Sequence, residues 1–284
     1  MKLFIHWDME GTSGLFRREQ VWFWEPGVSE QAAAEGRQLL IDDVNSLCSA
    51  ALKAGVDEII VCDTHHGGGN IVVDRMLADP RITYLVQSTG YQNGEYRWMP
   101  GLDETVDALL LPGHHAKAGT AGAFMHHTWT LDWADVLING QSVGEMGIEA
   151  YFAGHWDIPL IFAHGDEAGC AEAREQFPGV TTAGVKRAVS YDLAVGLEAA
   201  AARALTAEKA AEAIAKARVA KPPPFKPTLP MTVTIRMTSE AAADRAAQRP
   251  TVQRVDALTV EGRLTQHCDV VKWVNGTGLA MARR

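Results

Sequence analysis

The chain opens on KLFIHW (residues 2–7), an almost unbroken apolar run. Comparable runs recur as EIIVCD (58–63), RITYLVQ (81–87), VDALLLPG (106–113), DVLING (135–140) and IPLIFAHGD (158–166). Most are short and bounded by Gly, Pro or charge, which is how strands buried on both faces read. Between the first two lies a stretch of helical periodicity, 29–54, with Leu39, Leu40, Val44, Leu47 and Leu52 near helical spacing and Gly55 at its end. Helices are also predicted over 142–155, 167–176 and the alanine-rich 192–220. Strands alternating with helices predict an α/β fold, a three-layer α/β/α arrangement around a mostly parallel sheet. KPPPFKPTLP (221–230) carries five prolines and is read as a linker. After it, MTVTIRM, ALTVEGRL and CDVVKWV predict a small C-terminal α/β subdomain over 231–284, attached to a larger α/β domain over 1–220.

Composition narrows the partners. With 35 acidic against 26 basic residues and a net charge of -9, the chain lacks the basic balance that phosphate binding wants, which argues against a nucleic-acid partner. Its four cysteines, Cys48, Cys62, Cys170 and Cys268, are far apart and form no C-x-x-C pair, so they are read as buried free thiols. No run approaches the roughly 20 apolar residues of a membrane span. The apolar start is too short for a secretory signal, and the expected location is the cytoplasm.

The chemistry collects where strands end. Two acids, Asp8 and Glu10, close the first strand and share a face; Asp63, His65 and His66 follow the second; His114 and His115 follow the run at 106–113. Ligands in parallel sheets bind at such carboxyl ends. GAFMHHTW adds His126 and His127, and INGQSVGEMGIEAY adds Glu145 and Glu149. Carboxylates and imidazoles without thiolates suit zinc or a similar divalent ion with open positions. A carboxylate able to bridge suggests two ions, as in aminopeptidases and phosphatases.

WDMEG, DTHH, GHHAKAGT, FMHHTW and NGQSVGEMG, in this order and with HGDEA and TTAGVKRAVS beyond them, resemble the D-aminopeptidase family, peptidase family M55. The resemblance implies a two-zinc centre held by Asp8, Glu10, His65, His115 and Glu145, with Asp8 bridging. It implies a catalytic histidine in MHHTW, taken as His127 because the family's local pattern is histidine followed by a small hydroxyl residue. Lys186 matches a family lysine and is expected to orient a carboxylate or oxyanion. Asp63 and Asp166 are expected to hold imidazole ligands in their tautomers.

The implied activity is a zinc-dependent aminopeptidase or amidase acting on short peptides or amino-acid amides, D-amino-acid peptides among them. A small peptide or amide is the expected partner, and a homo-oligomer, a decameric ring, is the expected assembly. Two other readings use the same donor atoms: a two-metal phosphoesterase and a non-catalytic metal-binding oligomer. Against the first, HHGGGN has glycines but lacks the Lys-Ser/Thr of a phosphate-binding loop. Trp22 and Trp24 in VWFWEPG, and Trp98 in GEYRWMPG, are candidates for an apolar lid or a subunit interface.

Overall fold

The computed structural model describes residues 1–87, 89–92, 95–267, 269 and 273, with the side chains of 89–92 and 95–97 left aside. The first half runs β1 (Lys2–Trp7), α1 (Glu30–Lys53), β2 (Glu58–Asp63), β3 (Ile82–Leu85), β4 (Thr89–Gln92), β5 (Glu95–Trp98), β6 (Ala108–His114), β7 (Trp133–Ile138) and β8 (Gln141–Ser142). It continues with α2 (Glu145–Gly154), β9 (Leu160–Asp166), α3 (Glu167–Gln176), β10 (Thr181–Ser190), β11 (Leu193–Gly196) and α4 (Ala199–Val219). Then come β12 (Met231–Met237), α5 (Glu240–Ala247), β13 (Gln253–Arg254) and β14 (Thr259–Leu264).

Among the described residues seven strands form the central sheet in the order β11-β10-β9-β6-β1-β2-β3, parallel except for the edge pair β10/β11. β1, β6 and β9 are buried on both faces, so their sequences run apolar without alternation. α1 and α4 cover one face over a core of Leu3, Ile5, Leu40, Val44, Leu47 and Ile214. α2 and α3 cover the other, where Phe4, Leu109, Met146, Phe152 and Ala173 pack. The α/β expectation therefore holds. α1 starts where Ser29 accepts from Ala32 N, an N-cap worth about 1 kcal/mol.

Two boundaries differ from the sequence reading. The stretch 192–220 divides into β11 and α4, because the backbone of 193–196 completes the sheet edge beside β10. The C-terminal strands do not form a sheet of their own: β12 pairs antiparallel with β14 on one side and with β7 on the other, giving the order β13-β14-β12-β7-β8. The proline-rich stretch thus divides the sequence and not the sheets, and DVLING belongs to this second sheet. Val136, Ile138, Val233 and Ile235 put its inner face in the same core as α2. Cys48, Cys62 and Cys170 are buried free thiols, while Cys268 lies outside the described residues, as does most of CDVVKWV. Among the described residues no helix is long and apolar enough to cross a membrane.

Candidate metal centre

β1 sends the chain to β2 and β3 on one side, and β6 sends it to β9 and β10 on the other, so the β1/β6 boundary is the point where strand order reverses. The backbones close up there: Asp8 N donates to Pro112 O at 3.1 Å and Gly11 N to Gly113 O at 2.6 Å. Gly113 has φ +77, and a Cβ on it would stand 1.9 Å from Asp8 O, so only glycine fits.

Into this crevice the structure brings Asp8 after β1, Glu10 two residues on, His65 after β2, His115 after β6 and Glu145 at the first turn of α2. His65 Nδ1 lies 2.8 Å from Asp8 Oδ1 and 3.2 Å from Glu10 Oε2. His115 Nε2 lies 3.5 Å from Asp8 Oδ2 and 3.3 Å from Glu145 Oε1. Asp8 thus belongs to two ligand triads, with Glu10 and His65 and with His115 and Glu145. His127 stacks on His115, ring centroids 3.9 Å apart, and its Nε2 is 3.7 Å from Glu145 Oε1.

Backbone carbonyls hold all three rings. His65 Nε2 pairs with Val21 O at 3.0 Å, His115 Nδ1 with Ala116 O at 3.0 Å and His127 Nδ1 with Met125 O at 2.8 Å. A carbonyl only accepts, so the N–H sits on that nitrogen and the other nitrogen presents its lone pair to the centre. Lone pairs of imidazole and carboxylate then face one another across the crevice. Glu10 Oε2 and His115 Nε2 are buried with no hydrogen-bond partner. A divalent cation removes that conflict, and three carboxylates with two imidazoles and no thiolate fit zinc.

Without a cation the charges compete. Burial pushes the Asp8 carboxyl up to about 6, with Glu10 adding to it and His65 opposing. Burial also disfavours ionised Glu10 and Glu145, but the imidazoles win: His65 holds Glu10 well below the usual carboxylate range, and His115 draws Glu145 down to about 2. His65 and His115 are raised in turn, the charges of Glu10 and Glu145 outweighing burial. His127 moves the other way, lowered by burial and then by His115.

The neighbouring histidines go elsewhere. His126 accepts from Gly119 N at 3.2 Å and meets Tyr191 edge-on, His66 is exposed and stacks on Trp24, and His114 pairs with Glu149. Three residues expected to support the site take backbone partners in the structure. Lys186 spends its three N–H donors on Glu10 O, Thr12 O and Leu15 O at 2.6–2.8 Å, so it fixes the loop carrying Glu10 and has no donor for an oxyanion. Asp63 accepts from Asn70 and Ile71 and shapes the loop after His65. Asp166 caps α3 through Gly169 N and receives Phe124 N. The tautomers are set by carbonyls, not by these two acids.

Of the tryptophans, Trp22 is buried at the centre, its indole N–H donating to Glu10 Oε1 at 2.7 Å, while Trp24 is 41% exposed. Trp98 is core, beside Phe152 and Trp129, so it forms no lid. Sequence reasoning missed Trp22 as a support for Glu10, and Trp129, whose backbone N–H donates to Glu145 Oε1 at 2.7 Å. Only the density of aromatics in VWFWEPG hinted at the former.

Comparison with known proteins adds three findings. The pattern of the peptidase M55 D-aminopeptidase family matches residues 1–276. A D-aminopeptidase of Bacillus subtilis (strain 168) is 32% identical over 234 residues, covering 81% of this chain and 80% of the relative. The solved structure described as Zn-dependent D-aminopeptidase DppA from Bacillus subtilis, a self-compartmentalizing protease, superposes with a TM-score of 0.87 at 27% identity, over 100% of this chain and 97% of that one.

Proposed function

The chain belongs to the peptidase M55 family of D-aminopeptidases, and from that premise we propose that it is a zinc-dependent aminopeptidase. It releases the N-terminal residue of short peptides or amino-acid amides, D residues included. One observation carries the reading: Asp8 is shared by two His/carboxylate triads, one buried and one buried but for Glu145, whose lone pairs converge. Asp8, Glu10 and His65 would hold one ion, and Asp8, His115 and Glu145 the other. Zinc bound there supplies a nucleophile at neutral pH, by lowering the pKa of bound water from 15.7 toward about 7, and polarises the scissile carbonyl.

The protein's own part is positioning and proton transfer. Lys186 and Trp22 fix the backbone and the carboxylate of Glu10. His127, half-buried and neutral at pH 7, keeps Nδ1–H on Met125 O and so offers Nε2 as an acceptor. It takes a proton from the attacking water and returns it to the leaving amine, as general base and then general acid.

The assembly belongs to the same reading: a homo-oligomeric, self-compartmentalising ring of ten chains. Supporting it, the β10/β11 sheet edge exposes Val189, Leu193, Val195 and Leu197, apolar surface of the kind that marks contact sites. The test is hydrolysis of a panel of D- and L-amino-acid amides and dipeptides by zinc-loaded protein, with light scattering for mass. Hydrolysis of D substrates that stops with chelator and returns with zinc is expected. No hydrolysis of either enantiomer by protein with zinc in both Asp8-centred positions would overturn the proposal.

A further inference from the structure

One more cluster of metal-type side chains lies beneath the centre. His6, His114 and Glu149 are each no more than 1% exposed, and one ligand atom from each lies within 4.8 Å of the others. The same three elements that supply Asp8, His115 and Glu145 supply this set, displaced by two residues along β1, one along β6 and four along α2. Steps of two on a strand and four on a helix keep a side chain on the same face. His6 and Glu149 therefore lie below Asp8 and Glu145, and His114, one residue before His115, meets them from β6.

Its internal geometry is unsatisfied as a network of hydrogen bonds. His114 Nε2 stands 2.9 Å and His6 Nδ1 3.0 Å from the same oxygen, Glu149 Oε2. His114 Nδ1 already pairs with Pro112 O, so Nε2 is the lone-pair nitrogen. A proton placed between His114 and Glu149 satisfies that one contact. It leaves His6 Nε2 and Glu149 Oε1 buried without a hydrogen-bond partner, and His6 Nδ1 with only the Oε2 that His114 already uses. Buried polar groups rarely go unpaired, because each costs about 1–3 kcal/mol. A cation accepts the His6, His114 and Glu149 lone pairs together. The two separations from Glu149 Oε2 come within a few tenths of an ångström of the roughly 3.3 Å between ligands on one tetrahedral zinc ion, and all three ligand atoms lie within 4.8 Å of one another.

We infer that His6, His114 and Glu149 form a third divalent-cation site of zinc type, distinct from the Asp8 centre and structural in role. Trp98 lies edge-on to His6 at 5.2 Å and the site has no exposed side, so substrate does not reach it. The ion ties α2 to β1 and β6, and α2 presents Glu145 one turn earlier. Because the site is closed, it fills as the chain folds and exchanges slowly.

Crystals of the full-length protein, grown with zinc sulfate at pH 7.5, decide this by anomalous scattering on either side of the zinc edge. A peak bounded by His6 Nδ1, His114 Nε2 and Glu149 Oε2 is expected. Absence of density there at saturating zinc overturns the inference, and no variant is needed for that outcome. In solution, Glu149→Gln should lower the zinc content by one ion per chain while the Asp8-centred ions remain; unchanged zinc content would also overturn it. The peaks are read by position. An empty Asp8 centre would defeat the proposed function and leave this site standing, and the reverse pattern would do the opposite.

Discussion

His126 and His127 are adjacent in sequence and meet opposite surroundings. His127 stacks on His115 against Trp22, inside the centre, while His126 lies outside it against Tyr191. The positive φ of 47° at Met125 turns the chain just before the pair. His127→Ala removes a proton carrier but neither triad around Asp8, so zinc content should hold while kcat/KM falls about 10² to 10⁴-fold. His126→Ala should stay within several-fold of the parent. Kinetics and metal analysis on both variants check this, and loss of zinc from His127→Ala would make it a ligand instead. At Asp8 the expectation differs in kind: Asp8→Ala breaks both triads and should empty both positions, whereas Glu10→Ala breaks one. Equal single-ion loss from the two variants, by elemental analysis, would count against the bridge.

At the scale of elements, the ends of β1, β2 and β6 that carry the candidate ligands were legible because buried parallel strands read as apolar runs, and polar residues at their ends stand out. β10 was not. TTAGVKRAVS has no such run, since it turns Lys186 inward and its last residues outward. An inward lysine is tolerable only because three carbonyls of the Glu10–Leu15 loop receive it, and no sequence pattern announces carbonyls. The same blindness hid Val21, Ala116 and Met125, whose carbonyls fix the ring tautomers, and led Asp63 and Asp166 to be credited with that work. Lys186→Met keeps the apolar stem and strands those carbonyls. It should weaken zinc binding about 10- to 100-fold, the usual effect of losing an outer support. Lys186→Arg should not rescue it, because a planar guanidinium cannot replace a compact ammonium among three converging acceptors. Competition with a zinc-binding dye measures both variants, and parental affinity in Lys186→Met would show the loop to be held by other contacts.

For the whole molecule, the second sheet was illegible for a related reason: antiparallel pairing between 133–142 and 231–264 spans some of the longest sequence separations in the fold, and only β7's core-facing residues hint at a partner. Stability as a function of pH tests how the buried charges tie the two halves of the centre together. In metal-free protein His65 and His115 are raised, so the stability they add is present below about pH 6.5 and lost as pH rises through their folded values. Asp8, raised from 3.8 to about 6, adds stability that likewise disappears as pH climbs through 6. Glu145, lowered to about 2, contributes above about pH 4.5 and loses that only on further acidification. From pH 8 down to 5 these groups therefore stabilise the metal-free chain. Zinc needs the same groups deprotonated, so its affinity should fall at least about tenfold per pH unit below 6. The difference in Tm between zinc-loaded and chelator-treated protein should be wide at pH 7.5 and narrow steadily toward pH 5.5, from both sides. Scanning calorimetry across that range reads it directly, and a gap independent of pH would mean that the ions are not displacing protons from Asp8, His65 and His115.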